Sequence, residues 1–474
     1  MRADSSLFYA SNDGVLRGVK GGQAATDGTE LWGFLPPEFY GKYRRLRYAT
    51  PELRTPGTPP GLIALTAPKD YFFDGPIGTY EDNTTTPETK WIFVGARRGG
   101  ALIYAFDVSN PTTPKFMWKH DGTTLPNLGQ TWSLPVAFKI PFNAPNNDNV
   151  HLVFGAGYDT AEDESPRVTP LTKGKGIYVL DAKLGTERRF INSTFAGGFT
   201  VSSPIASDIG FLAIANPSGV GFANVYRGYV GDLGGNVWRL DISADGNPNS
   251  WRLFKFAALG SFKFMYAPDL VKAGADKDIV LIGSGDREKP LVRTSVDRFF
   301  GLWDTSPAPA QATTVDLIGT GDVLALSGTS GSTVTCAFPD NCGWYREMAP
   351  GEKVVNSPLT VAGITFFATN VPTPPAVGSC ASNLGEAKTY GISFLTGGLP
   401  AGRTSISTVL TGGGLAPSPV GGVVDLGKPD GSEGGQTVSF CIGCGKKDRL
   451  EPERPIIVVP VNRQKIYWNM KNDG

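Results

Sequence analysis

Gly228-Tyr-Val-Gly-Asp-Leu-Gly-Gly-Asn-Val-Trp-Arg-Leu-Asp241 is the clearest copy of a unit that recurs along this chain. An apolar strand runs into a Gly-rich turn, and a second strand ends on aromatic-x-Leu-Asp. Asp232 and Asn236 flank Leu-Gly-Gly, where side-chain oxygens cap a tight turn and glycine accepts positive φ. Looser copies are Phe8–Lys20, Trp91–Gly95 with Leu102–Asp107, and His151–Gly155 with Ile177–Asp181. They continue as Ile279–Gly283 with Phe299–Asp304, Ile364–Phe367 with Tyr390–Leu395, and Ile456–Val459 with Lys465–Trp468.

A second marker stands ahead of six of these units: a proline leading into a short apolar run, at Pro76, Pro135, Pro204, Pro268, Pro358 and Pro419. Proline at a strand entry costs no ladder donor. Each unit therefore reads as one sheet, made of a proline-led inner strand, a hairpin and an outer strand. Radial repetition of such sheets is a β-propeller. The expected fold is all-β, a modified quinoprotein-like propeller of about seven blades with loop insertions at 305–355, 371–388 and 425–454. The first unit lacks its proline-led strand and the last lies at the C-terminus. Residues 1–474 are thus expected to form one domain whose two ends complete one blade together, leaving no open edge. The segment Pro37–Arg47 is expected to form a short insertion helix.

Composition agrees. The 474 residues include 61 glycines and 37 prolines, which suits many short strands joined by turns. A chain this long exceeds the ~250–300 residues of a single ordinary core, unless it is built from repeats. Formal net charge is zero, so no global field draws nucleic acid or anionic lipid. No apolar run reaches the ~18 residues of a membrane span. Met1-Arg2-Ala3-Asp4-Ser5 carries no signal-peptide core, which leaves a cytosolic protein or, as favoured here, a C-terminal fragment of a longer secreted one. The nine tryptophans, among them Trp32, Trp132, Trp238, Trp303 and Trp468, read as blade packing.

Five cysteines are present. Cys336 and Cys342 flank a turn-rich insert, Cys441 and Cys444 form C-x-x-C, and Cys380 sits in a further loop. Placement between strands favours disulfides within each of the two close pairs, in an oxidising compartment. Zinc would need four ligands, and neither histidine is near. Cys380 is left unassigned and is an alternative partner for Cys336 or Cys342. The densest acidic run, Asp159-Thr-Ala-Glu-Asp-Glu164, offers Asp159, Glu162 and Asp163 as candidate ligands for a hard cation. Its simpler reading is a solvated loop, because no glycine stands where a calcium loop would turn. With only His120 and His151 in the chain, histidine base catalysis is poorly supplied, and no catalytic or cofactor-binding residue is assigned.

Several strings, in order, resemble the C-terminal domains of type IV pilus biogenesis and tip-adhesin proteins of the PilY1/PilC type. They are Asn12-Asp13-Gly14 with Gly28–Pro36, Leu128–Ser133, Tyr229–Trp238, Gly283–Arg287, Gly343-Trp-Tyr with Gly351–Pro358, and Thr411–Pro419. The resemblance implies a propeller on a large secreted protein at the pilus tip or outer membrane. It implies minor pilins and a host or abiotic surface as partners, and roles in pilus assembly, opposition to retraction, adhesion, twitching motility and virulence. Some members bind calcium in a loop just before this hairpin. Here that stretch, Ile214–Arg227, offers only the amides of Asn216 and Asn224 and no carboxylate, so no ligand is carried over and no cofactor is expected. The alternatives are a quinone-dependent dehydrogenase-like propeller and a protein- or polysaccharide-binding propeller unrelated to pili.

Overall fold

The structure is a computed structural model. It describes residues 6–22, 24, 27–48, 52–54, 66–142, 148–164, 169–215, 222–274, 277–306, 311–373, 384–425 and 437–444. These fall into two compact units, 1–139 with 144–191, and 140–143 with 192–474.

In the first unit, β1 (Ser6–Ala10), β2 (Leu16–Lys20) and β3 (Glu30–Phe34) make a three-stranded sheet. A 3₁₀ turn at Pro37–Phe39 leads into α1 (Tyr40–Tyr48), where the insertion helix was expected. Strands β4 (Glu52–Arg54) and β5 (Thr66–Pro68) pair in parallel. Two four-stranded antiparallel sheets follow. One is β6 (Ile77–Asp82), β7 (Thr89–Gly95), β8 (Leu102–Asp107) and β9 (Lys115–Asp121). The other is β10 (Val136–Lys139), β11 (Val150–Gly155), β12 (Ile177–Asp181) and β13 (Glu187–Ile191).

The second unit continues the series with β14 (Gly210–Ala215), β15 (Phe222–Gly231), β16 (Asn236–Asp241) and β17 (Arg252–Ala258). Next come β18 (Asp269–Lys272), β19 (Asp278–Gly283), β20 (Arg298–Asp304), β21 (Val323–Leu326) and β22 (Cys342–Glu347), with β21 parallel to β22. Strands β23 (Lys353–Val354), β24 (Leu359–Val361), β25 (Ile364–Val371), β26 (Glu386–Ser393) and β27 (Ser407–Val409) form another sheet. The last hairpin is β28 (Val420–Asp425) with β29 (Thr437–Ile442). Among the described residues, and apart from the small β4–β5 pair, seven sheets therefore follow one another in chain order. Two of the expected insertions are more than that: 305–355 supplies β22 and the edge strand β21 of its own sheet and β23 of the next, and 425–454 supplies β29. The last copy, Ile456–Trp468, lies outside the described residues.

The proline rule holds at five of six positions, where the strand starts at the next residue. Pro204 is the exception: β14 begins only at Gly210, and the intervening segment caps the β15–β16 hairpin instead. Leu233 N donates to Pro204 O at 3.0 Å and Ser207 Oγ to Gly231 O at 2.9 Å.

Burial explains the strand composition. Every residue of β11, β16 and β19 is buried, so these strands are covered on both faces and cannot alternate. Strand β6 does alternate, burying Gly78, Tyr80 and Asp82. Gly78 is required there, since a Cβ would sit 1.9 Å from the Pro135 carbonyl oxygen of the next sheet. Apolar clusters lie between successive sheets within each unit. Phe93, Trp118, Leu152 and Tyr178 pack together in the first, and Tyr229, Phe256, Ile282 and Phe300 in the second. Trp132, Trp238 and Trp303 are buried and Trp32 partly so, which bears out the packing role; Trp468 lies outside the described residues. Among the described residues no helix is long and apolar enough to cross a membrane.

Candidate functional site

The most elaborate polar construction among the described residues grows from the β15–β16 hairpin. Asp232 Oδ1 accepts the backbone N–H of Gly234 (2.8 Å) and Asn236 (2.9 Å). Its Oδ2 accepts Asn236 Nδ2 (2.8 Å) and Trp238 Nε1 (2.9 Å). Gly235 takes φ +81°, and a Cβ there would lie 1.7 Å from the Gly260 carbonyl oxygen. Burial raises the Asp232 pKa above its ordinary value against the pull of all four donors. Asp232 and Asn236 are thus the turn caps that the sequence indicated.

Beyond the turn, the same hairpin carries two fully buried arginines, Arg227 on β15 and Arg239 on β16. Arg227 stands opposite Asp241 in the ladder, and Tyr229 stands opposite Arg239. On the neighbouring sheet Asp278 stands opposite Asp304. Two carboxylates facing each other across a ladder repel, and burial makes that worse. The arginines resolve the conflict. Arg227 donates to Asp241 at 3.2 Å and to Asp278 at 2.8 Å. Arg239 grips both oxygens of Asp241 (2.7 and 2.9 Å) and reaches Asp304 at 2.7 Å. Tyr229 Oη donates to Asp304 at 2.6 Å, and Lys272 Nζ completes Asp278 at 2.9 Å.

Three cations thus balance three carboxylates. Burial works against the Asp304 carboxylate, but Arg239 and Arg227 outweigh it and hold its pKa below the ordinary value. Burial, reinforced by Asp304, raises the Tyr229 phenol far above its usual range, so it stays a donor. The chemistry available is cohesion between two sheets. The ion pairs satisfy one another, and Asp304, Arg227 and Arg239 expose no surface to a substrate.

The terminal Asp of the repeat does the same local work in other sheets. Asp107 accepts the N–H of Ser109, Asp181 those of Lys183 and Leu184, and Asp304 that of Ser306, each at 2.9 Å. One carboxylate oxygen caps the following turn and the other is left for a cation, as in Asp181 with Arg188.

The acidic run is a loop but not the solvated one expected, because Asp159 and Glu162 are buried and Asp159 is turned onto backbone donors. Asp159 accepts the backbone N–H groups of Ala161, Thr172 and Lys173 at 3.0, 2.7 and 2.9 Å. Asp163 accepts the Tyr158 hydroxyl at 2.6 Å, and Glu162 is buried. Among the described residues no three His, Cys, Asp or Glu side chains converge as metal ligands. Asn216 lies outside the described residues. Asn224 Oδ1 accepts Phe142 N at 2.9 Å, and Arg227 belongs to the ion network. His151 is fully buried, with Nδ1 2.8 Å from an Arg188 nitrogen, which makes it structural.

Cys336–Cys342 and Cys441–Cys444 are both disulfide-bonded. Their setting differs from the loops expected. Cys342 opens β22, Cys441 lies within β29, and Cys441 and Cys444 are buried against Leu359, Val361, Ile364 and Phe366. Cys380 lies outside the described residues.

Successive antiparallel sheets, four-stranded where the repeat is most regular and packed face to face, define a β-propeller of the modified kind. No family model matches the chain. The chain is homologous to the type IV pilus biogenesis factor PilY1 of Pseudomonas aeruginosa, with 24% identity over 465 residues, 85% of this chain and 35% of that protein. A PilY1 homolog of Xylella fastidiosa is 23% identical over 85% of this chain and 27% of its own length. The crystal structure of the Pseudomonas aeruginosa PilY1 C-terminal domain has the same fold, with a TM-score of 0.61 over 95% of this chain and 93% of that one, at 18% identity. The chain therefore spans about a third of the length of the curated relatives it matches.

Proposed function

We propose that this chain is the propeller domain of a type IV pilus biogenesis factor. It acts outside the cell, with minor pilins at the pilus tip, to promote assembly, oppose retraction and contribute to attachment and twitching motility. One observation carries this reading: homology to PilY1 over 85% of the chain, within the fold of that protein's C-terminal domain. The domain is a scaffold rather than an enzyme. The buried carboxylates that could have served chemistry are spent on arginines, tyrosines and backbone donors. We also propose that the chain is one domain whose ends complete a blade. The β1–β3 sheet has three strands where the next three sheets have four, and the proline-led segment after Pro455 matches the missing type.

The partner reading is tested by co-expressing the chain with the minor pilins of its own organism and isolating it under mild crosslinking. Recovery of a minor pilin with wild-type chain, and its loss with Asp304→Ala, is expected. No recovery with wild type would count against it. A quinone cofactor spectrum on incubation with quinone and calcium would overturn the scaffold reading.

A further inference from the structure

Helix α1 reads Tyr-Gly-Lys-Tyr-Arg-Arg-Leu-Arg-Tyr, four cations and no acid in nine residues, and none of its residues is buried. Some of this charge holds the helix in place. Lys42 Nζ donates to the carbonyl oxygens of Tyr71 (2.9 Å) and Gly99 (3.2 Å). Arg45 clasps both oxygens of Asp70 with two guanidinium nitrogens, and on the adjoining loop Arg98 sets two nitrogens on one oxygen of Asp74. Tyr43 stacks on Phe72 at 5.3 Å and donates to Gly14 O.

The outward face is left over. Residues 40, 44, 47 and 48 fall on one side of a helix with 3.6 residues per turn, so Tyr40, Arg44, Arg47 and Tyr48 form one stripe about 12 Å long. Tyr40 is 58% exposed and Tyr48 62%. Arg44 and Arg47 are exposed too, and neither is paired with a carboxylate among the described residues. Arg47 lies over the Tyr48 ring at 5.4 Å.

We infer that the Tyr40–Arg44–Arg47–Tyr48 face of α1 docks an acidic protein surface. Three observations select that occupant. Of the four cations on the helix, Arg44 and Arg47 are left exposed and without a carboxylate among the described residues, a positive patch that a carboxylate-bearing surface complements. Arg45, beside the stripe on the same helix, already holds both oxygens of Asp70 with two nitrogens, the fork geometry that favours Asp and Glu. Tyrosine and arginine are also the side chains that dominate binding energy at protein interfaces. Against the other polyanions, the helix exposes a single aliphatic, Leu46, too little to enter a bilayer. Two unspent guanidiniums neutralise too few phosphates to hold a nucleic acid at physiological salt. This inference does not depend on the pilus reading and stands or falls separately.

The test is fluorescence anisotropy with the purified chain and a labelled polyglutamate peptide, with oligothymidylate and anionic phospholipid vesicles as competing probes. Wild type is expected to bind the peptide at low salt and release it as salt rises. The pair Arg44→Glu and Arg47→Glu should weaken binding by at least about tenfold. Arg44→Lys with Arg47→Lys should weaken it less, because charge persists without the fork. Lys183→Glu, on the β12–β13 turn, should change nothing. If the double reversal melts early, Arg47→Glu alone serves, since Arg47 is exposed and lies over Tyr48. Failure of wild type to bind the peptide, binding indifferent to both arginines, or tighter binding of oligothymidylate or vesicles would overturn the inference.

Discussion

Asp304→Ala should be the most damaging single polar substitution in the second unit. The carboxylate accepts Arg239 at 2.7 Å, Tyr229 at 2.6 Å and the Ser306 N–H at 2.9 Å, with Arg227 at 3.8 Å. Removing it leaves two buried arginines and the half-buried Lys272 facing two carboxylates. Unit charges ~4 Å apart at an effective dielectric of ~20 interact by ~4 kcal/mol. Breaking a buried pair from one side costs about 3–5 kcal/mol for the same reason. Tyr229→Phe removes only one hydrogen bond to a charged group, about 1.5–3 kcal/mol. Replacing Arg239 and Asp304 together by apolar residues should cost much less than Asp304→Ala, because no charge is stranded.

The pH dependence follows the same logic. The folded pKa of Asp304 is held below its ordinary 3.8, so its contribution is complete above that value. It is lost as pH falls through the folded pKa, and Asp304→Asn should flatten this acid limb. Urea unfolding followed by tryptophan fluorescence, from neutral pH downward, reads both effects. A loss of under about 1 kcal/mol for Asp304→Ala would refute the coupled network.

Three further outcomes are expected. Cys441→Ser with Cys444→Ser, or Cys336→Ser with Cys342→Ser, should each lower stability by about 2 kcal/mol, since each bridge closes a short loop; free thiols at all four positions in oxidised protein, counted by mass spectrometry, would contradict the pairing. Deleting residues 455–474 should speed amide exchange in β1–β3 if the two ends share a blade, whereas unchanged exchange there would refute that proposal. Calorimetric titration of chelator-treated protein with calcium should show no micromolar site that depends on Asn216 or Asn224; binding lost on changing Asp159 or Asp163 would move a site to the acidic loop.

The fold was legible because its signals are local. Turn glycines, strand-entry prolines and terminal aspartates recur in most units, and each acts on neighbours in sequence. Asp232 shows this best, since all four of its donors lie within six residues. The ion network was not legible, because Arg227 to Asp278 and Arg239 to Asp304 span 51 and 65 residues. Only the recurrence of Asp241 and Asp304 at the end of the unit hinted that one carboxylate oxygen was still unspent. Pro204 misled because its segment caps a hairpin instead of opening a strand. The cysteines read as loop residues because C-x-x-C looks like a turn, whereas Cys441 lies in β29 and is covered by the preceding sheet.

The central proposal, a pilus biogenesis role carried by this domain, meets its most direct test in surface piliation. The chromosomal copy encoding the chain would be replaced by Asp304→Ala, and sheared surface pilin measured by immunoblot in retraction-competent and retraction-deficient backgrounds. Surface pili should be lost with Asp304→Ala, kept with Asp159→Asn, and regained when retraction is removed. Normal surface piliation with the propeller disrupted, at wild-type levels of the pilin itself, would contradict it.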